Sequence, residues 1–448
     1  MMLIKNWEEL ATTPLRKLTL EIIEAGIEQV LPGNIMRSAL YYEPGSKSLQ
    51  VKDVTYDVTN GRIFVIGGGK AAGLMAKALE DILGAENIFA GTVNCKSAAC
   101  RTKRIKMVAA GHPIPDKRGV EGVKRMLALK DKYSIDKNDL VICLLSGGGS
   151  ALMPYPVEGV HLKDKQKVTE LLLKCGAEIH ESNAVRKHLS QVKGGRLGGF
   201  YAPTRIVSLI ISDVIGDDLE VIASGPTYPD PSAFQDAYNV LEKYDLIART
   251  PQSVITHLER GCRGEVKETP QGLTNCDNHI IGNNRLALEA MAKKAKELGF
   301  RPYIVTAQQN GDTATAAHRR AREILEGKYK DYDAILIGGE TTPKLPEHAG
   351  RGGRNQHYAA VSIVAMKSYP GNWVVASVGT DGSDYLPDVA GAIVDNDTLY
   401  RATARGIDVR TYIDRFDSYR LFRKLGRALI ITGSTGTNVS DVMLYLLG

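Results

Sequence analysis

One recurring pattern limits what this chain can fold into. A short run of Ile, Val and Leu is followed at once by Gly, Ser or Asp, and the arrangement repeats along the 448 residues. It reads Ile63-Phe-Val-Ile66 before Gly67, Leu140-Val-Ile-Cys-Leu-Leu145 before Ser146, and Ile206-Val-Ser-Leu-Ile-Ile211 before Ser212 and Asp213. It returns as Ala334-Ile-Leu-Ile337 before Gly338, Trp373 to Val378 before Gly379, and Ala428-Leu-Ile-Ile431 before Thr432 and Gly433. Uninterrupted apolar strands suit a sheet covered on both faces. The stretches between them, such as residues 71–83 and 285–298, carry helical periodicity. Strand, turn and helix in alternation predict an α/β fold: two Rossmann-like, doubly wound domains with mostly parallel sheets and an interdomain cleft. Such sheets bind ligands at the carboxyl ends of their strands, which is where all these turns would lie.

The weakest stretch for a strand is 246–276, polar and punctuated by Pro251, Gly261, Gly264, Pro270 and Gly272. A boundary there gives an N-terminal domain over 1–270 and a C-terminal α/β domain over 271–432, with 433–448 free to pack back on the first. Lys plus Arg exceed Asp plus Glu by 57 to 51. That mild excess fits anionic substrates or an ordinary solvated face, and no basic block points to nucleic acid. No apolar stretch approaches the ~20 residues of a membrane span, and Glu8 and Glu9 do not suit a signal peptide. The six cysteines form no CxxC pair and no zinc-ligand spacing. The expectation is a cytoplasmic protein with reduced thiols and small-molecule partners, a homodimer being left open.

The turns carry the candidate chemistry. In Gly67-Gly68-Gly69-Lys70-Ala-Ala-Gly73, a glycine turn between strand and helix lets backbone N–H groups approach an anion. The G-x-G-x-x-A match to a dinucleotide site is loose, and Asn94 stands where an acid would hold a ribose. Lys70 instead suits a transferring phosphoryl group. A tight turn and a solvated lysine are the bland alternatives. Ser146-Gly147-Gly148-Gly149-Ser150 makes a candidate anion nest, with neither a Walker A ending nor a hydrolase elbow. Asn183, Arg186, Lys187, Lys193 and Arg196 gather cations and an amide that could bind phosphate or carboxylate, or simply form a charged face. Asp213, Asp381 and Glu340 end strands, where carboxylates hold Mg²⁺ or cap turns. Arg351 and Arg354 sit in a glycine-rich loop able to clamp an anion. His112, in Gly111-His-Pro113, reads first as structural, with a site role open.

Taken in order, these segments resemble the glycerate 2-kinase family, whose C-terminal part is known as the MOFRL domain. The matching stretches are Val65-Ile-Gly-Gly-Gly-Lys-Ala-Ala72, Ala110-Gly-His-Pro113, Ser146-Gly-Gly-Gly-Ser-Ala151, Asn183-Ala-Val-Arg-Lys-His-Leu-Ser190 and Val192-Lys-Gly-Gly-Arg-Leu197. Further along come Ser212-Asp-Val-Ile-Gly-Asp-Asp218, Ala223-Ser-Gly-Pro-Thr227, Gly338-Gly-Glu-Thr-Thr342, Gly352-Gly-Arg-Asn-Gln356 and Gly379-Thr-Asp-Gly-Ser-Asp384. The resemblance implies transfer from ATP, with Mg²⁺ or another divalent cation, to the 2-hydroxyl of D-glycerate. It implies that Lys70 and Arg354 are catalytic, with Arg351 a rival for the substrate contact, and that domain closure accompanies turnover. A nicotinamide-dependent hydroxypyruvate reductase and a non-catalytic sensor of sugar phosphates or nucleotides are the competing readings.

Overall fold

The computed structural model describes residues 2–98 and 100–448, which divide into two compact units. One unit is contiguous, Ile35–Ile281; the other joins the chain up to Asn34 with Gly282–Gly448.

The contiguous unit opens with a small antiparallel sheet of β1 (Leu40–Glu43), β2 (Ser48–Val51) and β3 (Val54–Asp57). Its main sheet contains β4 (Ile63–Gly68), β5 (Ile88–Cys95), β6 (Ile105–Ala109), β7 (Leu140–Ser146), β8 (Arg205–Ile211) and β9 (Cys276–Gly282). The strand order is β6-β5-β4-β7-β8-β9, and the pairs from β6 to β8 are parallel. Every residue of β4 and β7 is buried, as uninterrupted apolar runs require. The chain runs outward from β4 to β6, then restarts beside β4 with β7. This places a topological switch point between β4 and β7, where open α/β sheets form their ligand crevice.

The second unit contains β10 (Pro302–Gln309), β11 (Ala334–Gly339), β12 (Trp373–Gly379), β13 (Gly391–Asp395), β14 (Leu429–Ile430) and β15 (Asp441–Leu447), in the order β10-β11-β15-β12-β13-β14. The α/β class holds, but the mostly parallel expectation is corrected here. Only β10 and β11 pair in parallel, and the other pairings are antiparallel. Connection length accounts for β13 and β15, whereas β14 returns antiparallel to β13 across three helices. A parallel return needs a crossover of a dozen or more residues, usually a helix. Residues 380–390 and 431–440 contain no helix, so β13 and β15 come back antiparallel.

Two domain expectations also change. The break falls at Ile281/Gly282 rather than near 270, because the strand starting at Cys276 extends the first sheet beside β8. Residues 433–448 do not return to the first domain. They supply β15, entirely buried between β11 and β12.

The N-terminal segment joins the second unit through the helix Pro14–Gln29. Thr13 caps it by accepting from Arg16 N–H, and Pro14 occupies the first turn, where a missing N–H costs nothing. Its Leu20, Ile23 and Ile27 are fully buried, each contributing about 1.5–3 kcal/mol. Gly26 lets it approach the helix Asn284–Glu297; a Cβ there would lie 2.5 Å from Met291 Cγ. Arg16, wholly buried, pairs with Asp395 at 2.9 Å. Removing one partner of such a pair costs about 3–5 kcal/mol. No helix among the described residues is long and apolar enough to cross a membrane.

Candidate functional site

In the contiguous unit the turns after β4 and β7 are laced together. Lys70 N–H donates to Gly147 O at 2.8 Å, and Ala71 N–H donates to Ser146 Oγ at 3.0 Å. Ser146 therefore serves the start of the helix Ala72–Leu83. Gly148 holds φ +80°, which opens the nest without side-chain strain. Asp213, just past β8, reaches the same place: a Cβ on Gly147 would lie 1.8 Å from its Oδ2. The Lys70 ammonium lies 3.8 Å from that oxygen, with both side chains about a quarter exposed. Cation, carboxylate and two backbone turns thus share the switch point.

The predicted basic cluster separates into two groups. Lys187 is buried and bonded to Asp230 at 3.0 Å. Arg196 donates to Lys267 O at 3.3 Å. Lys187 thus serves the interior, and Arg196 braces an exposed stretch of chain. Lys193 points toward the nest, donating to Ser150 O at 2.9 Å; burial, then the charge of Arg186, pushes its pKa down to about 7. Ser150 Oγ lies 2.8 Å from Ser224 Oγ, and Ser224 donates to Asn183 Oδ1 at 3.1 Å. Asn183 Nδ2 is buried with no partner among the described residues.

Ser224 escaped the sequence reading as a candidate, although its motif Ala223-Ser-Gly-Pro-Thr227 was visible. Ala223 and Ser224 hold φ +52° and +62° ahead of Gly225 at +59°. Two consecutive non-glycine residues in the left-handed region cost roughly 1–2 kcal/mol each. They persist because Gly194 and Gly195 N–H donate to Ser224 O and Gly225 O at 3.0 and 2.7 Å. Strain of this kind collects at functional sites. Asn94, the position weighed for a ribose, is wholly buried; its amide donates to Gly119 O and Leu152 O.

In the second unit, Arg354 opens the helix Arg354–Ala365. Its Nε and Nη2 donate to Asp441 at 2.5 and 3.0 Å, and Nη1 lies 2.8 Å from Glu340. Asp441, at the start of β15, was not anticipated, because only the strand order brings it to Arg354. Burial raises its pKa, against the lowering effect of Arg354. Asp384 accepts from Asn355 and Gln356 N–H at 2.9 and 2.8 Å, capping a helix whose N-cap is Gly353. Burial, chiefly, lifts its pKa to about 6. Asp381 accepts from Ser383 N–H and Oγ at 2.9 and 3.1 Å, the turn-capping role. Arg351 is exposed, with its guanidinium 5.2 Å from the Tyr419 ring centre.

Among the described residues no group of three or more His, Cys, Asp or Glu is arranged to hold a metal ion. Mg²⁺ asks for less, usually one or two carboxylates completed by substrate phosphates and water. Asp213, on the glycine nest beside Lys70, fits that role. Asp381, with one oxygen taken by two Ser383 donors, fits it less well.

Residues 18–259 match a family described as a domain of unknown function, DUF4147, and residues 333–441 match the MOFRL family. A glycerate 2-kinase from Pyrococcus horikoshii is 40% identical over 96% of this chain and 98% of its own length. A D-glycerate 2-kinase from Thermotoga maritima is 40% identical over 97% and 98%. The crystal structure of a glycerate kinase from Thermotoga maritima superposes with a TM-score of 0.83 at 39% identity, covering 96% of this chain and 99% of the other.

Proposed function

The chain belongs to the glycerate 2-kinase family, and from that premise we propose that it moves the terminal phosphoryl group of ATP onto the 2-hydroxyl of D-glycerate, releasing 2-phosphoglycerate and ADP. The observation that best supports this chemistry within the chain is the hydrogen bond from Lys70 N–H to Gly147 O. It fixes a lysine and a glycine nest at one switch point, where phosphates are held by backbone N–H groups and an ammonium.

Phosphoryl transfer asks a protein for positioning and charge neutralisation more than for covalent chemistry. Lys70 neutralises charge on the transferring group. The backbone of Gly147, Gly148 and Gly149, with Gly68 and Gly69 beside it, lines the phosphates. Ser150, Asn183 and Lys193 face the acceptor's carboxylate, while Lys187 and Arg196 stand behind them as support. Arg354, oriented by Asp441 and Glu340, is the second catalytic cation; Arg351 is peripheral. Asp213 would hold Mg²⁺, which when bound would supply positive charge against that of the nucleotide phosphates. The free, scattered cysteines suit a cytoplasmic setting.

The reductase alternative has Asn94 against it, since that side chain is spent inside the protein. The test is ATP consumption with D-glycerate and Mg²⁺, the product identified by phosphorus NMR. A 2-phosphoglycerate signal is expected. Absence of turnover, with NADH oxidised in the presence of hydroxypyruvate, would replace the kinase by the reductase.

A further inference from the structure

One polar side chain at the switch point is not used by this scheme. His112 lies in the loop between β6 and the helix Lys117–Lys132, far in sequence from both glycine turns. Yet its ring covers the nest. A Cβ on Gly148 would stand 2.8 Å from both Cδ2 and Nε2 of the imidazole, and 3.0 Å from Lys70 Cγ. The Nε2 edge and the Lys70 stem therefore meet at one glycine, with the Asp213 carboxylate at the next. The ring is half-buried and has no hydrogen bond to any described residue.

Its charged surroundings are Lys70 and Lys96, Asp213 across the turn, and Asp116 against Gly111 of its own loop. Burial foremost, then the charges of Lys70 and Lys96, lowers its pKa, so the neutral ring prevails at neutral pH. A neutral imidazole beside a phosphate nest can accept a proton. Lys70 is assigned to the charge of the transferring phosphoryl group, and Asp213 is engaged with Lys70.

Resting on the kinase reading above, we propose that His112 is a further catalytic residue, its ring nitrogen accepting the proton of the acceptor's 2-hydroxyl during transfer. The O–H bond breaks and the proton passes to the imidazole. The hydroxyl oxygen forms a bond to the γ-phosphorus. The bond from that phosphorus to the bridging oxygen of ADP breaks, and ADP leaves with the electron pair. The imidazolium then returns its proton to water.

The test compares the unsubstituted protein with His112→Gln and His112→Ala. Turnover of ATP, Mg²⁺ and D-glycerate is followed from about pH 5 to about pH 9, with ATP binding measured by calorimetry. In the unsubstituted protein, kcat should fall as acid protonates the ring. In His112→Gln, kcat should drop about 10²–10⁴-fold and that acid limb should vanish, with ATP affinity and both KM values nearly unchanged. Added imidazole should restore part of the rate to His112→Ala. Unchanged kcat, a persisting acid limb, or loss of ATP binding in place of loss of kcat would overturn the assignment while leaving the kinase reading intact. No turnover by the unsubstituted protein would overturn both.

Discussion

The Arg354 guanidinium forks onto the Asp441 carboxylate through Nε and Nη2, at 2.5 and 3.0 Å, and Asp441 is fully buried while Arg354 is 31% exposed. A buried acid thus aims an arginine whose outer edge faces water, and stability and chemistry become coupled in one residue. Arg354→Ala strands the Asp441 charge and should cost about 3–5 kcal/mol in chemical denaturation. Arg354→Met with Asp441→Leu should recover most of that stability and none of the turnover. A double variant as unstable as Arg354→Ala would show that the pair does not set the cost.

Lys70 can be tested more directly, because its side chain is about a quarter exposed and Asp213 keeps access to water. Lys70→Ala should lower kcat by about 10²–10³-fold with little change in melting temperature. A variant that kept full kcat would remove Lys70 from the transfer step.

Ser224 combines strain with a bridge between Ser150 and Asn183. Ser224→Gly relieves about 1–2 kcal/mol of left-handed strain but leaves the Asn183 carbonyl oxygen without its donor at about 1–3 kcal/mol, so melting temperature should change little. It also frees Ser150 and Asn183 to rotate, so KM for D-glycerate should rise about tenfold, the loss of one hydrogen bond, while KM for ATP stays put. Equal changes in both KM values would argue against a role for this bridge on the acceptor side.

His357 carries a pH prediction. Its ring is 2% exposed, stacked on Phe416 at 4.1 Å, with both ring nitrogens unpartnered among the described residues. Burial pushes its pKa down to about 4. The neutral ring is favoured in the folded state, so its stability contribution is intact above the ordinary histidine value near 6.5. It is lost as pH falls from there toward about 4, by up to about 3 kcal/mol. His357→Phe should flatten the fall of unfolding free energy over that window. An unchanged slope would place the acid sensitivity elsewhere.

The strand–turn alternation was legible because burial on both faces leaves an apolar run that nothing else explains. The turns at Gly67–Lys70 and Ser146–Ser150 could be read for the same reason. Direction could not: Asp441–Leu447 reads identically whether it enters a sheet parallel or antiparallel, and only the short connection behind it decides. The basic cluster looked uniform in sequence, yet Lys187 meets Asp230 inside the protein while Lys193 meets Ser150. That split depends on acids far along the chain. Ser224 was hidden because a positive φ at serine leaves no mark in composition. The place of His112 was not legible because its neighbours, Lys70 and Gly148, are separated from it in sequence and joined only by strand order.

The position of β15 bears on how the chain is made. Its residues stand between β11 and β12 and pair with both. As the polypeptide leaves the ribosome, the contiguous unit can close while later residues are still being added. The second unit cannot. The helix Pro14–Gln29 is made before Asn284–Glu297 yet waits for it, and β11 and β12 have no strand to join them until Leu447 has cleared the exit tunnel. During that interval two apolar strand edges lie open to the solvent, and protection of the nascent chain matters most there.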